Sequence, residues 1–594
     1  MNKQEKLIAI LLGLALAGWL CHSIMDQKKQ AAERAKYVAA QAEWAKAHPE
    51  AAKAQAAAKK EAQQPEVAKA PEAPKPVEPP KTRAPEKCVT LANDQMSLVL
   101  SSHGAVVKSA TMLKYAQKTG AISADNPALV FDFADAPALA LEGVPGLDAD
   151  ADWTVKSQSD NSVTFGHALA TRTITLKDNY QVDVEESFNG VPQNTATHLS
   201  LGAMALGASK NDMLSIDSWL DDPAKPRVCH WGELDPLKGY LAGGGVGGCS
   251  GKKNAAGIPV VSRVDVPGKS TWVAVKNRFF VTALVKSSDA NTGFRATMTR
   301  DASKTDYVLK SVSAAAAFPT LSAKRAYTLY IGPKKQSLLW DLGMKDVMEF
   351  GMWRWLCYPL VWILNACYAL IPNFGIGIIL LTILVRVVFW PLTHKSTVGM
   401  RRMQEIQPLM KEIQSKYKGN PQRLQQETWQ LYKEHKVNPM SSCLPMLVQI
   451  PVFIALFTVL RSAVELRYAP FLWIADLSEP EGLFSSWFPF GGLNILPILM
   501  AGSMVLQTAL SPSSGDKKQQ QMMMVMMPIM MLFMFYSFPS ALSLYWTLSN
   551  VFSIVQTWWI RKKYGTPGVA KDGVVVPDAV EMPQTRQMRR HQHD

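Results

Sequence analysis

The apolar run 374–392 has the length of a bilayer-spanning helix and holds a single charge, Arg386. No soluble sheet or surface helix accommodates such a run, so the chain must be read with a membrane as one of its solvents. A charge at membrane depth is costly unless it faces a partner, a cavity or the nearest interface. Thr382 lies one helical turn before Arg386 on the same face. Two readings follow. Arg386 snorkels along its long stem to the headgroups beyond Leu392, or it lines a wet cavity shared with other spans.

Hydrophobic residues make up 48% of the chain. They concentrate at the far N-terminus and after Met352, so the composition is split along the length. Further apolar runs fall at 443–460, 493–510, 522–537 and 542–560. The first run, 7–24, follows Lys3 and Lys6 but has no small-residue cleavage site after it, and Trp19 and Leu20 precede Cys21 where a lipoprotein signal needs small residues. It reads as an uncleaved signal anchor occupying 1–25. The fold class expected is a polytopic α-helical membrane protein of six transmembrane helices carrying an external β-sandwich domain.

Basic residues set the orientation. The segment 393–442 holds nine Lys and Arg and the segment 463–491 holds one, Arg467, while acidic residues number four in each. Lys and Arg resist translocation, so 393–442, 511–521, the basic tail and the N-terminus are expected in the cytoplasm. Residues 26–351 are then external. The net charge of +14 fits membrane surface and ribosome as partners better than DNA, because it sits on cytoplasmic loops and the tail.

Residues 26–87 read as a stalk, first rich in Ala, Lys, Glu and Gln, then Pro-rich and extended from 64 to 86. From 88 to 335 the pattern turns to period two, as in Thr171-Arg-Thr-Ile174-Thr-Leu176, which argues a β-sandwich. The stretch from Trp272 to Phe280 suits a strand or a short helix equally. The aromatic-rich segment 352–371 suits a helix lying in the membrane interface. The basic segment 393–442 reads as two helices, with Pro408 imposing a kink or a late start on the first and Asn420-Pro421 opening the second.

Of seven cysteines, Cys88, Cys229 and Cys249 lie in the external region, where disulfides persist. Cys229 and Cys249 flank a Gly-rich stretch and are a possible disulfide. No fourth ligand is spaced to make a metal site with Cys229, His230 and Cys249, and no metal or other cofactor is expected. The sequence has no His-Glu-x-x-His and no Gly-x-Ser-x-Gly, and the glycines 243–248 read as a loop, not a phosphate cradle. An enzyme is not expected.

Polar residues recur in the spans instead. The run 443–460 holds Gln449, the run 493–510 holds Ser503, Gln507 and Thr508, and the last run places Trp546, Asn550, Ser553 and Thr557 on one helical face. A single such residue is usually interhelical glue, but a whole face plus Arg386 favours a shared cavity. The Met-rich stretch 522–531 is either lipid-facing surface or an adaptable apolar contact.

Several motifs together carry a resemblance. Thr382-Ile-Leu-Val-Arg386, Trp390-Pro-Leu-Thr393, Gln407-Pro408, Val437-Asn-Pro439, Leu444-Pro-Met-Leu-Val-Gln449-Ile-Pro451 and Phe538-Pro-Ser-Ala-Leu-Ser-Leu-Tyr545-Trp546-Thr-Leu-Ser-Asn550 are similar to the YidC/Oxa family of membrane protein insertases, in its Gram-negative form with a large periplasmic domain. The match covers 350–563, with 564–594 left as a basic cytoplasmic tail. The resemblance implies a five-helix insertase core around a hydrophilic groove lined by Arg386, Thr382, Gln449, Gln507, Tyr545, Trp546 and Asn550. It also implies Phe453, Met500 and Met534 along the path a substrate helix slides against. The family's aromatic pair is often Tyr-Tyr; here it is Tyr545-Trp546, so position 546 brings no hydroxyl to Thr382. The implied setting is the bacterial inner membrane, as a multi-pass protein and chaperone. The implied partners are nascent membrane proteins, membrane lipids, the Sec translocon, and ribosome and targeting factors at the cytoplasmic hairpin and tail. A rival class is a small-anion transporter using Arg386, against which stands the lack of repeated halves. Another is an external carbohydrate-binding enzyme merely anchored by the helices; the resemblance gives the external domain a sugar-mutarotase-like sandwich fold, which by itself implies no enzyme activity.

Overall fold

The computed structural model describes residues 85–205, 214–221, 227–229, 260–301, 309–435, 444–484, 492–510 and 517–564. The expected anchor at 1–25, nearly all of the stalk and the tail from 565 lie outside the described residues. The Cys229–Cys249 pairing lies outside them too. Cys88, exposed, and Cys357, buried, are free thiols.

Between Cys88 and Pro333 the described residues form two antiparallel sheets of nine strands each. One runs from an edge at Cys88–Ala92 to an edge at Val261–Pro267, the other from Arg227–Cys229 to Thr154–Gln158. Alternation decides which side chains enter the sandwich. The strand Ala170–Leu176 buries Ala170, Arg172, Ile174 and Leu176 and turns its threonines outward.

Arg172 is thus carried into the apolar interior, where an unpaired charge would be prohibitive. Register supplies its partner: Arg172 stands opposite Glu186, which stands opposite Arg325 on the next strand. Arg172 Nε donates to Glu186 Oε1 at 2.8 Å, Arg325 Nε to Oε2 at 2.9 Å, and Tyr327 Oη to Oε1 at 2.9 Å. Arg172 Nη1 also reaches the carbonyls of Gly104, Ala105 and Leu139. The cluster therefore ties one sheet to strand and loop of the other.

The stretch 272–280 resolves as strand, turn, strand. Ser270–Lys276 pairs with Phe280–Ser287, and Asn277 Oδ1 closes the turn by accepting from the amides of Phe279 (3.0 Å) and Phe280 (2.8 Å). That turn leaves the sheet with Arg278 at its tip.

After Pro333 the chain is helical: α1 Gln336–Asp341, α2 Arg354–Leu370, α3 Phe374–Glu405, α4 Gln407–Lys416, α5 Pro421–Glu434, α6 Leu444–Ser462, α7 Ile495–Leu510, α8 Lys517–Phe535 and α9 Ser540–Tyr564. Among the described residues one helix segment, Phe374–Met400 within α3, is long and apolar enough to cross a bilayer. Gln449–Ser462, Ile495–Leu510 and Met524–Phe535 are shorter apolar segments. α3 does not stop at Leu392: it passes through Pro391 and continues to Glu405. The break comes at Ile406, with Pro408 in the first turn of α4, where its missing N–H has no helical partner to lose. α5 opens on Asn420, whose side chain accepts from the Arg423 amide at 3.1 Å, with Pro421 as first helical residue. α4 and α5 close on a small core of Met403, Ile406 and Leu431.

α2 buries Cys357, Leu360, Val361 and Leu364 and leaves Trp355, Trp362 and Leu370 exposed on its other side. One buried apolar cluster takes in the sandwich interior, Val347 and Phe350 of the connector, and Leu456, Ala541 and Leu544 of the helices.

Candidate functional site

Four helices meet around α9. Arg386 of α3 extends to α9, where its Nη2 donates to the carbonyl of Ser549 at 2.6 Å. Its Nε is buried and donates to no protein atom among the described residues. The Ser549 carbonyl also accepts from Ser553 Oγ at 3.0 Å. A backbone carbonyl on a neighbouring helix is what a guanidinium within an apolar layer needs, because it supplies an acceptor without a second charge.

One helical turn earlier, Thr382 is fully buried and its hydroxyl donates back to the carbonyl of Ile378 at 2.6 Å. Thr382 therefore satisfies itself within α3. Tyr545 is buried between helices and its Oη accepts from Gln449 Nε2 of α6 at 3.0 Å. Trp546, next to it, turns elsewhere: its ring meets Phe453 edge-on at 4.8 Å and Phe535 at 5.2 Å between centroids. Asn550 is buried against α7, with Nδ2 donating to Ser503 Oγ at 2.9 Å. Further along, Gln556 Nε2 donates to Thr393 Oγ1 of α3 at 3.0 Å.

Comparison with known proteins bears on this arrangement. The family model described as 60Kd inner membrane protein matches residues 366–566, and that described as YidC periplasmic domain matches 249–363. The membrane protein insertase YidC of Syntrophobacter fumaroxidans is 42% identical over 302 residues, about half of each chain (49% of this one and 54% of that one). The membrane protein insertase YidC of Chlorobaculum tepidum is 31% identical over 504 residues, which are 79% of this chain and 81% of that protein. The chain belongs to the YidC family of membrane protein insertases.

Among solved structures, a crystal structure of an active YidC insertase with its first transmembrane domain resolved aligns over 80% of this chain and 93% of its own. Its identity is 18% and its TM-score 0.34, and the assignment does not rest on it. YidC proteins are inner-membrane insertases with a periplasmic domain, and insertion into a membrane requires no covalent step.

Within this YidC chain the sequence-derived groove residues are not one continuous face. Arg386, Tyr545 and Gln449 gather where α3, α6 and α9 meet; Asn550 serves the α9–α7 contact; Gln507 is half-buried on α7. The expected slide residues also differ in setting. Met534 is 42% exposed, Phe453 is half-buried in the aromatic cluster, and Met500 is fully buried, its carbonyl accepting from Ser503 Oγ at 2.7 Å. Met534 and Phe453 present apolar surface; Met500 presents none. Ser549 and Gln556 escaped the sequence reading. Their spacing from Tyr545 along α9 was the available signal for Gln556, whereas Ser549 contributes a backbone atom and has no side-chain signature.

Proposed function

We propose that this insertase works through the junction of α3, α6 and α9, taking a short hydrophilic segment of a nascent membrane protein past Arg386, Tyr545 and Gln449 while the client's apolar helix leaves along Phe453 and Met534 into lipid. The observation that carries the reading is the Arg386–Ser549 bridge: a guanidinium held in a helical layer through Nη2, with a buried Nε that has no hydrogen-bond partner among the described residues. Polar groups inside the layer lower the desolvation cost of a crossing polar segment, and the guanidinium attracts acidic ones. Trp546 and Asn550 support this junction by tying α9 to its neighbouring helices; Thr382, Gln507 and Met500 belong to the route on the family resemblance.

The topology that goes with this reading has six spans, the anchor 1–25 included, both termini and the hairpin 393–442 in the cytoplasm, and 88–335 in the periplasm. Sec translocon, ribosome and targeting factors are the partners suited to the basic cytoplasmic segments. A Cys229–Cys249 disulfide in the oxidising compartment belongs to the same reading.

The test is a photo-crosslinking residue at Gln449 or Phe453 during translation of a single-span client in vesicles. Adducts to the client's polar flank from 449 and to its apolar helix from 453 are expected. A client that inserts fully without touching either position sinks the route.

A further inference from the structure

The turn 277–280 carries a contact that the insertase reading does not use. Arg278 is 4% exposed although it stands at the tip of a hairpin, because the helical region covers it. Its Nε donates to the carbonyl of Arg461 at 2.7 Å and its Nη2 to the carbonyl of Ser478 at 2.6 Å, while Nη1 is paired with the Glu479 carboxylate. Arg461 lies in the last turn of α6, where carbonyls have no helical donor and the helix dipole favours a cation. The Glu479 carbonyl in turn accepts from both the amide (2.9 Å) and the hydroxyl (2.6 Å) of Ser540, the first residue of α9.

A second point of contact flanks the first. Arg467 Nη1 donates to the Ala116 carbonyl at 3.0 Å and Tyr468 Oη to the Gln117 carbonyl at 2.9 Å, both on the sandwich. Arg278 thus joins the end of α6, the loop 463–479 and the start of α9 through one planar fork that matches three acceptors at once.

We propose that Arg278 is a positioning residue for insertion: by docking the periplasmic sandwich onto the loop 463–479, it fixes the separation of α6 and α9 on which the Gln449–Tyr545 contact depends. The inference rests on the insertase reading. It assigns the sandwich a mechanical part in the site, through Arg278 and without any ligand of its own. Lysine at this position keeps the charge but presents one nitrogen where three acceptors converge, so it does not replace arginine.

The experiment uses the full chain in proteoliposomes, in a background with its native cysteines replaced by serine, with Gln117→Cys and Pro470→Cys added. Both positions are exposed, one on each side of the contact. Docking is read as the yield of a short bismaleimide cross-link between them, and insertion as protease protection of a single-span client. Arg278→Ala and Arg278→Lys should lower the cross-linking yield and reduce insertion about fivefold or more. Completing the bridge with the reagent should bring insertion by the Arg278→Ala chain back to within twofold of the parent. An unchanged yield in Arg278→Ala overturns the docking. Insertion that is unaffected by loss of the contact, or that stays low once the bridge is made, overturns the positioning role. Failure of the parent chain to insert any client sinks the insertase reading instead, while the yield still decides whether Arg278 docks the sandwich.

Discussion

Arg386 Nη2 and the Ser549 carbonyl oxygen stand 2.6 Å apart, so the guanidinium bridges α3 to α9, and its buried Nε has no hydrogen-bond partner among the described residues. Snorkelling to headgroups would have taken the guanidinium away from α9. The proposed function adds an attractive role to this structural one, and substitutions separate the two.

The expected outcome is a dependence on client charge. At an effective dielectric near 20, a unit charge at about 4 Å is worth roughly 4 kcal/mol before desolvation is subtracted. Arg386→Lys should keep at least about half of the activity, Arg386→Ala should lose most of it for clients with acidic translocated tails, and Arg386→Glu should be worse for these clients still. Protease protection of two clients, identical except for Asp or Asn in the tail, provides the measurement. Equal loss for both clients across the three variants would remove electrostatic attraction and leave the bridge to Ser549 as the whole role.

Tyr545→Phe isolates the α6–α9 contact. It removes the acceptor for Gln449 Nε2 and leaves a part-buried amide without its partner, a change that costs about 1–3 kcal/mol. Gln449→Leu removes the other half. Because the two residues share one hydrogen bond, the double variant should be less destabilised than the sum of the singles. Thermal unfolding in detergent measures this, and strict additivity would mean that the hydrogen bond contributes nothing.

Polar residues in the helical half were legible because an apolar background makes them conspicuous. Arg386, Gln449 and Asn550 stood out in this way, whereas Tyr545 came only with the family resemblance, and all four make interhelical contacts. What the helical wheel could not supply was the neighbours of α9. A helix packed on several sides gives each polar residue a different partner, so Trp546 and Asn550 on one nominal face end in different contacts. In the sandwich, period two set Arg172 inward with Ile174 and Leu176, yet its pairing with Glu186 and Arg325 needed strand register, which the alternation leaves open. Arg278 was beyond reach: two of its three acceptors are backbone carbonyls far away in sequence, and any residue type would offer those.

Glu186→Gln tests the buried cluster. Burial alone would raise the Glu186 carboxyl, but Arg325 and Arg172 overcome it and hold the group below the usual carboxylate range. A carboxylate depressed in the folded state stabilises above its unfolded pKa, and that contribution is lost as pH falls through the folded value. Removing the charge strands two buried guanidinium groups at a cost of about 3–5 kcal/mol. Unfolding of the variant compared with the parent at neutral pH should show that loss, and the difference should narrow only under strongly acidic conditions. A variant as stable as the parent at neutral pH would mean that the two arginines find other acceptors.

Lys334 lies where the sandwich hands over to the helices, and there the sign runs the other way. Its ammonium is pushed down to about 7, first by burial and then by the neighbouring Lys276, which is itself held charged by Asp217 and Glu349. The unfolded chain therefore binds a proton at Lys334 that the folded chain gives up between the folded value near 7 and the usual lysine range. Wherever the unfolded state binds more protons, stability rises with pH, so this residue makes the fold more stable from about pH 7 towards pH 10. Below that window both states are protonated and the charged form is penalised in full. Lys334→Met keeps the length and removes the charge. At one pKa unit per about 1.36 kcal/mol, it should stabilise the full chain by roughly 4–5 kcal/mol at pH 7. That gain should shrink steadily as the pH is raised to 10. Thermal unfolding of parent and variant across pH 6–10 gives the difference directly. A gain that is constant with pH would show that the methionine merely packs better, and a loss at pH 7 would show that the Lys334 ammonium has a partner that stabilises it.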